Sequence, residues 1–303
     1  MSMIAAAEQY LAFRRKLGFA LQIEGEQLLR FARYAERIGH KGPLTVELTL
    51  RWAKLSHCST INHARRLDIV RRFARYLKHS VPQTEVPPEG VLGPSYRRVP
   101  PHIYSEEEVS ALMGACRQLT PVNGLRPRTY ATLFGLLVCT GMRISEALRL
   151  CTDDFDAAQG IITVVEGKFH KSRILPLHPS CVKALRAYAE FRERRHPATR
   201  TFFVTEVGTS LKYLKVLTTF RGIAYGLGWA RDTRIHGLRH TFAVRRLLQW
   251  YRDGEDIHRR IGQLSTYLGH CKMADTYWYL SAVPELMALA AGRFEQYTEV
   301  SHG

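Results

Sequence analysis

The sequence predicts a mainly helical α+β protein built as two domains, and three observations predict it. Apolar residues recur at three- and four-residue spacing through most of the 303 residues. One stretch, 161–177, reads instead as two β-rich arms around a polar turn. Between the first helical block and the rest lies a segment, 82–101, that holds six of the 13 prolines. Proline removes a donor and biases its neighbour toward extended backbone, so this segment is expected to be a linker. The expected domains are therefore a small helical one over 1–81 and a larger mixed one over 102–303.

The elements follow in order. Residues 3–19 and 24–38 are amphipathic, with Leu11, Phe13 and Leu17 on one apolar face and Leu28, Leu29, Phe31 and Ala32 on the other. A third helix is expected to begin near Thr45. A fourth spans 62–79, where Leu67, Val70, Phe73, Ala74 and Leu77 keep helical spacing. Its other faces carry Arg65, Arg66, Arg71, Arg72, Arg75 and Lys78 against a single Asp68. A helix this basic suits a phosphate backbone better than a merely solvated face. The second domain opens on Ser105 with Glu108 three residues later, a capping box. The apolar run 133–139 marks a buried helix, the hairpin of 161–177 turns near Lys168–Ser172, and from Ser180 the pattern is helical again.

Composition narrows the function. Lys and Arg total 44 against 27 Asp and Glu, a formal charge of +17. Such a chain attracts polyanions, and double-stranded DNA is the expected partner. Apolar residues make up 46%, enough for real cores. No run approaches the ~20 apolar residues of a membrane span. Met1–Ala7 lacks the charged start and apolar run of a signal peptide, so a cytoplasmic, nucleoid-associated location is expected. The six cysteines form no C-x-x-C pair and are read as reduced. Neither an acidic cluster spaced for Mg²⁺ nor a G-x-x-x-x-G-K-[ST] loop occurs, so no cofactor and no metal are expected.

Five places could carry chemistry. They are T-G-M-R-I-S-E-A-L with Arg143, G-K-F-H-K-S-R with Lys168 and Lys171, and R-I-H-G-L-R-H-T-F-A with His236, Arg239 and His240. Then come Y-L-G-H with His270, and Tyr279 in the aromatic cluster Tyr277–Trp278–Tyr279. Taken singly, Arg143 would be a surface ion-pair partner, His236 a satisfied polar residue and the aromatics core packing. Glu146 either orients Arg143 or caps a helix. His240 reads as a support next to Arg239.

In this order the five places resemble the tyrosine recombinase, or phage integrase, family. T-G-M-R-I-S-E-A-L is similar to the family's T-G-x-R-x-S-E-x-L, H-G-L-R-H-T-F-A to its H-x-L-R-H-T-F-A, and Y-L-G-H to its L-G-H. Residues 3–80 resemble, more loosely, its helical, SAM-like core-binding domain. The resemblance implies a site-specific recombinase that cuts and rejoins DNA through a 3′-phosphotyrosine intermediate and a Holliday junction, without metal or ATP. It places the nucleophile at Tyr279, nine residues after His270, with Tyr277 as the alternative. It places the lysine at Lys168, with Lys171 as the alternative. It also implies a homo-tetramer on two DNA sites coupled through the C-terminal tail (Leu286–Ala291), and it leaves open whether sister recombinases are further partners.

The chemistry fits the residue types. Attack of a tyrosine oxygen on a phosphodiester builds negative charge on the non-bridging oxygens. Arg143 and Arg239 can clamp that charge with forked donors. A phenol with a pKa of about 10 needs help losing its proton, and His236 is the candidate base, with His270 a further donor. A type IB topoisomerase-like activity and a non-catalytic DNA-binding relative are the alternatives, opposed by the core-binding pattern and by the intact constellation. The segment 249–257 and the residues around Tyr279 tilt the expectation toward a mobile-element integrase or transposase over chromosome-dimer resolution.

Overall fold

Where each helix ends follows from local chemistry, and the buried faces follow from the periodicity. The computed structural model describes residues 2–55, 57–97, 100–165 and 172–282. The chain forms two units, Met1–Val99 and Pro100–Gly303. Among the described residues no helix is long and apolar enough to cross a membrane.

The first unit contains α1 (Met3–Lys16), α2 (Gln22–Arg37), α3 (Val46–Lys54) and α4 (Thr60–Lys78). Thr45 caps α3, its side chain accepting from the Leu48 N–H at 3.3 Å. Leu28, Phe31, Trp52, Leu67, Val70, Phe73 and Leu77 meet in one core. Two expected core residues do not join it. Phe13 and Leu17 are 47% and 58% exposed, because α1 stops at Lys16 and its buried stripe is Ala6, Ala7, Tyr10 and Leu11. The proline-rich segment is also not a free linker over its whole length. Arg71, buried on α4, donates to the Pro87 and Pro88 carbonyls at 2.8 and 2.7 Å. Val86 and Leu92 pack against the helical core. Prolines leave carbonyls without a helical partner, and a buried guanidinium satisfies two of them here.

The second unit is helical around one small sheet. Its helices are α5 (Glu106–Arg117), α6 (Leu125–Thr140), α7 (Ile144–Ala147), α8 (Pro179–Glu193), α9 (Tyr213–Gly226), α10 (Ile235–Arg252), α11 (Ile257–Leu268) and α12 (Ala274–Ala282). The capping box at Ser105 forms: its hydroxyl accepts from the Glu108 N–H at 3.1 Å, and Glu108 Oε2 accepts from the Ser105 N–H at 2.9 Å. The hairpin pattern becomes β2 (Ile161–Val164) and β3 (Arg173–Pro176), antiparallel, with β1 (Phe155–Asp156) added to give the order β1-β2-β3. The hairpin tip, and with it Lys168 and Lys171, lies outside the described residues, as does the tail segment Leu286–Ala291.

Helix α6 runs through the main core, burying Leu133, Phe134, Leu136 and Leu137 against residues of α5, α8 and α9. A second cluster joins α10, α11 and α12 through Val244, Leu247, Ile261, Leu264, Leu268 and Tyr279. Apolar packing thus seats the tyrosine helix beside the helix that carries H-x-x-R.

Candidate active site

The C-terminal end of α11 organises the site. A helix end leaves carbonyls without intrahelical donors, and these carry partial negative charge. Here three consecutive carbonyls each receive a different arginine. Arg173 Nε donates to Tyr267 O at 2.8 Å, Arg239 Nη2 to Leu268 O at 2.8 Å, and Arg143 Nη2 to Gly269 O at 2.9 Å. The Y-L-G-H motif therefore contributes backbone acceptors as well as the His270 side chain. Gly269 closes α11 with φ +68°, and a Cβ there would lie 3.0 Å from Arg173 Nη1.

Arg239 is 2% exposed and also donates from Nη1 to Gly141 O at 2.7 Å, the cap residue of α6. Burial and the neighbouring Arg143 pull its pKa down to about 10, which leaves it charged at neutral pH. Gly141 has φ +60°, and a Cβ on it would meet the Phe242 ring at 2.5 Å, so T-G-M-R needs its glycine.

Arg143 starts α7. Its Nη1 donates to Glu146 Oε1 at 2.9 Å, and its backbone N–H donates to Glu146 Oε2 at 2.9 Å. Glu146 both caps the helix and holds the arginine. The same carboxylate receives Arg173 Nη1 at 3.1 Å and Nη2 at 2.8 Å, a forked pair. Burial alone would raise the Glu146 pKa. The bonds and charge of Arg173, with the bonds from Arg143, override it and hold the carboxyl down at about 2.

Tyr279 is 2% exposed, and its hydroxyl lies 3.0 Å from His240 Nδ1. Its ring lies 6.4 Å from that of His270, nearly parallel. Burial raises its pKa while Arg239 pulls the other way. Tyr277, two residues earlier, is 38% exposed. His236 does not hold the tyrosine: its ring meets that of His240 edge-on at 4.6 Å. The two histidines are four residues apart on α10 and so share a face, and sequence alone could not choose between them. Burial, then His236, Arg239 and His270, depress the His240 pKa to about 3. Burial and the two arginines Arg239 and Arg143 depress that of His270 to about 4, and its Nδ1 lies 2.7 Å from Thr276 Oγ1. Loss of solvation among its neighbours, then Arg239 and Arg143, push His236 down to about 4, though its side chain still reaches solvent. Among the described residues, no group of three or more His, Cys, Asp or Glu side chains could hold a metal ion.

A model of the phage integrase family matches residues 103–285. The chain belongs to the phage integrase family. A relative named as a candidate integrase/recombinase, y4rB, from Sinorhizobium fredii (strain NBRC 101917 / NGR234) is 39% identical over 96% of this chain and 96% of its own length. A tyrosine recombinase of Thermosipho africanus (strain TCF52B) is 30% identical over 72% of this chain and 70% of its own. The fold is that of a solved Tn1549 transposon integrase, in complex with transposon right end DNA: TM-score 0.68, 14% identity, 98% of this chain and 99% of that one. The mainly helical α+β fold expected from the sequence is therefore the integrase fold, and the chain is a recombinase-family enzyme.

The basic residues expected on the fourth helix divide in the structure. Arg72 and Lys78 are exposed. Arg75 is exposed and pairs with Glu89 at 2.7 Å, and Arg65 Nε donates to Ser95 O at 2.8 Å. Arg66 lies 4.1 Å over the Trp52 ring. Arg71 corrects the expectation, because it is buried and its donors go to Asp68, Pro87 and Pro88. It ties down the proline segment. Two residues escaped the sequence reading: Arg173, 27 positions from its partner Glu146, and His240 as the partner of the tyrosine. The forward signal for Arg173 was a basic residue opening β3 directly after the hairpin turn.

Proposed function

We propose that this integrase-family chain is a site-specific DNA recombinase in which Tyr279 is the nucleophile. One observation carries the reading: the Tyr279 hydroxyl is buried within hydrogen-bond reach of His240 and beside Arg239, while Tyr277 faces outward. The Tyr279 oxygen attacks the scissile phosphorus; the bound phosphate's negative charge offsets the arginines that, after burial, hold both histidines low, so that His240 or, one turn earlier on the same face, His236 takes the phenol's proton. Arg143 and Arg239 hold the non-bridging oxygens, and His270 donates to one of them. The bond from phosphorus to the 5′-oxygen breaks, and Lys168, or else Lys171, gives that oxygen its proton. A 5′-hydroxyl from a second strand then reverses the step, so neither ATP nor metal is consumed.

The unit Met1–Val99 serves as the core-binding domain and Pro100–Gly303 as the catalytic one, both on duplex DNA. Arg65, Arg66, Arg72, Arg75 and Lys78 are the phosphate contacts of the first unit. Four protomers act on two sites through a Holliday junction, coupled by the tail at Leu286–Ala291. The relatives named as y4rB and as a transposon integrase favour a mobile element as the setting, with the cytoplasmic nucleoid as the place of action. The test is incubation with a nicked suicide duplex of the element's end in EDTA without nucleotide. A denaturing gel should show a covalent protein–DNA band. Tight binding with no band would contradict the reading.

A further inference from the structure

The buried carboxylate of Glu146 sits between two arginines, and only one of them faces the proposed phosphate. Arg143 offers the remaining donors of its fork to that position, its side chain 20% exposed. Arg173 is less exposed, at 12%. All three of its nitrogens are used: Nε on Tyr267 O, Nη1 and Nη2 on the two oxygens of Glu146. Glu146 in turn grips the Arg143 side chain and backbone. Arg173 also opens β3, which follows in sequence the segment containing Lys168 and Lys171.

We infer that Arg173 is a positioning residue for Arg143, acting through the Glu146 carboxylate, and that it links the second strand of the hairpin to the arginine pair. This inference rests on the recombinase reading above. The physical reason is geometric. A carboxylate held by Arg143 alone, through one Nη and the backbone N–H, can tilt about those two bonds; the Arg173 fork, closing on both oxygens, fixes its orientation and that of the guanidinium it grips. The end of α11 fixes the frame, since neighbouring carbonyls anchor Arg173 and Arg143 at Tyr267 and Gly269. A lysine at 173 would keep the charge but could not span both carboxylate oxygens and the Tyr267 carbonyl together.

Arg173→Gln and Arg173→Lys test this, each compared with the full-length wild type. Duplex binding should stay within about twofold. Covalent adduct formation should slow roughly 10- to 100-fold in Arg173→Gln, the range expected when a reacting group is mis-set by about an ångström. Arg173→Lys should fall between the two. Glu146 is faced by Arg143 from the start of α7, Arg173 from β3 and, less directly, Arg239 from α10. Without Arg173 its carboxyl protonates more readily, so the Arg173→Gln defect should deepen as pH is lowered, with an acid limb that begins at higher pH than that of the wild type. Equal rates and equal pH profiles overturn the inference. Should Arg173→Gln fail to fold by thermal melting, Arg173→Lys at the wild-type rate and profile overturns it as well. A crystal structure of whichever variant folds is read independently of activity. Arg143 displaced from Gly269 O supports the inference, and Arg143 unmoved sinks it. A wild type that forms no adduct on its own site contradicts the recombinase reading, and that crystal structure still decides the role of Arg173.

Discussion

The arginines at the end of α11 and those along α4 are the same residue type under opposite regimes. Around α11, three guanidiniums are set by carbonyls and by one carboxylate, and one of them is almost fully buried. Along α4, Arg72 and Lys78 stand in solvent and Arg75 pairs with an exposed glutamate. The first set is preorganised and loses little on meeting a charge, which is what stabilising a transition state requires. The second set is hydrated and screened, which suits counterion release along a backbone. Arg71 belongs to neither, since it holds chain to chain.

The predictions break or sharpen that contrast, the largest effect first. Tyr279→Phe should abolish the covalent adduct while leaving duplex binding within about twofold, and Tyr277→Phe should leave both. Gel shift and denaturing gel read the two quantities separately. Next, Arg143→Ala or Arg239→Ala should slow cleavage about 100- to 1,000-fold, as for the loss of one transition-state donor. If Arg72→Ala slowed cleavage as much at saturating DNA, the two regimes would not be distinct.

Acid should act on the site in two stages. His240 and His270 have folded-state pKa values near 3 and 4, below the ordinary 6.5, so the unfolded chain takes up their protons first. Their contribution to stability is present above about pH 6.5 and is lost as pH falls toward 4 and 3. Glu146 lies at about 2 against an ordinary 4.5. Its contribution is present above about 4.5 and is lost as pH falls toward 2. Denaturant melts across pH should show both stages, and Glu146→Gln should shrink the lower one, to which Glu36, Glu107 and Glu255 also contribute. A flat response between pH 4.5 and 2 in the wild type would count against the doubly gripped carboxylate.

The smallest effects are on α4. Arg71→Ala should lower stability by about 1–3 kcal/mol, because it leaves the buried Pro87 carbonyl unpaired and removes the bond to the more exposed Pro88 carbonyl. Arg72→Ala should leave melting unchanged and flatten the salt dependence of DNA binding by a slope of about 1. Reversed outcomes would exchange the roles given to the two residues.

Much of this was legible in the sequence. The buried stripe of α4, the cap at Ser105 and the hairpin strands were readable from periodicity and spacing, whereas the set Arg143, His236, Arg239, His270 and Tyr279 came from the resemblance of its motifs to those of the phage integrase family. The rest depended on distances that a linear pattern does not carry. Phe13 and Leu17 keep helical spacing, but α1 ends at Lys16 and turns Phe13 outward. Arg71 reads as one more surface charge until the proline carbonyls fold back on it. His236 and His240 share a face of α10, and only the seat of α12 selects His240 for the tyrosine. Arg173 and Glu146 meet across 27 residues because β3 and α7 both reach the end of α11.

The most direct test of the account is to map the trapped linkage. The covalent complex on a nicked duplex is digested, and the DNA-bearing peptide is sequenced by mass spectrometry. The account predicts a 3′-phosphotyrosine on Tyr279. An adduct on Tyr277, or on any other residue, would contradict the placement of the buried tyrosine as nucleophile.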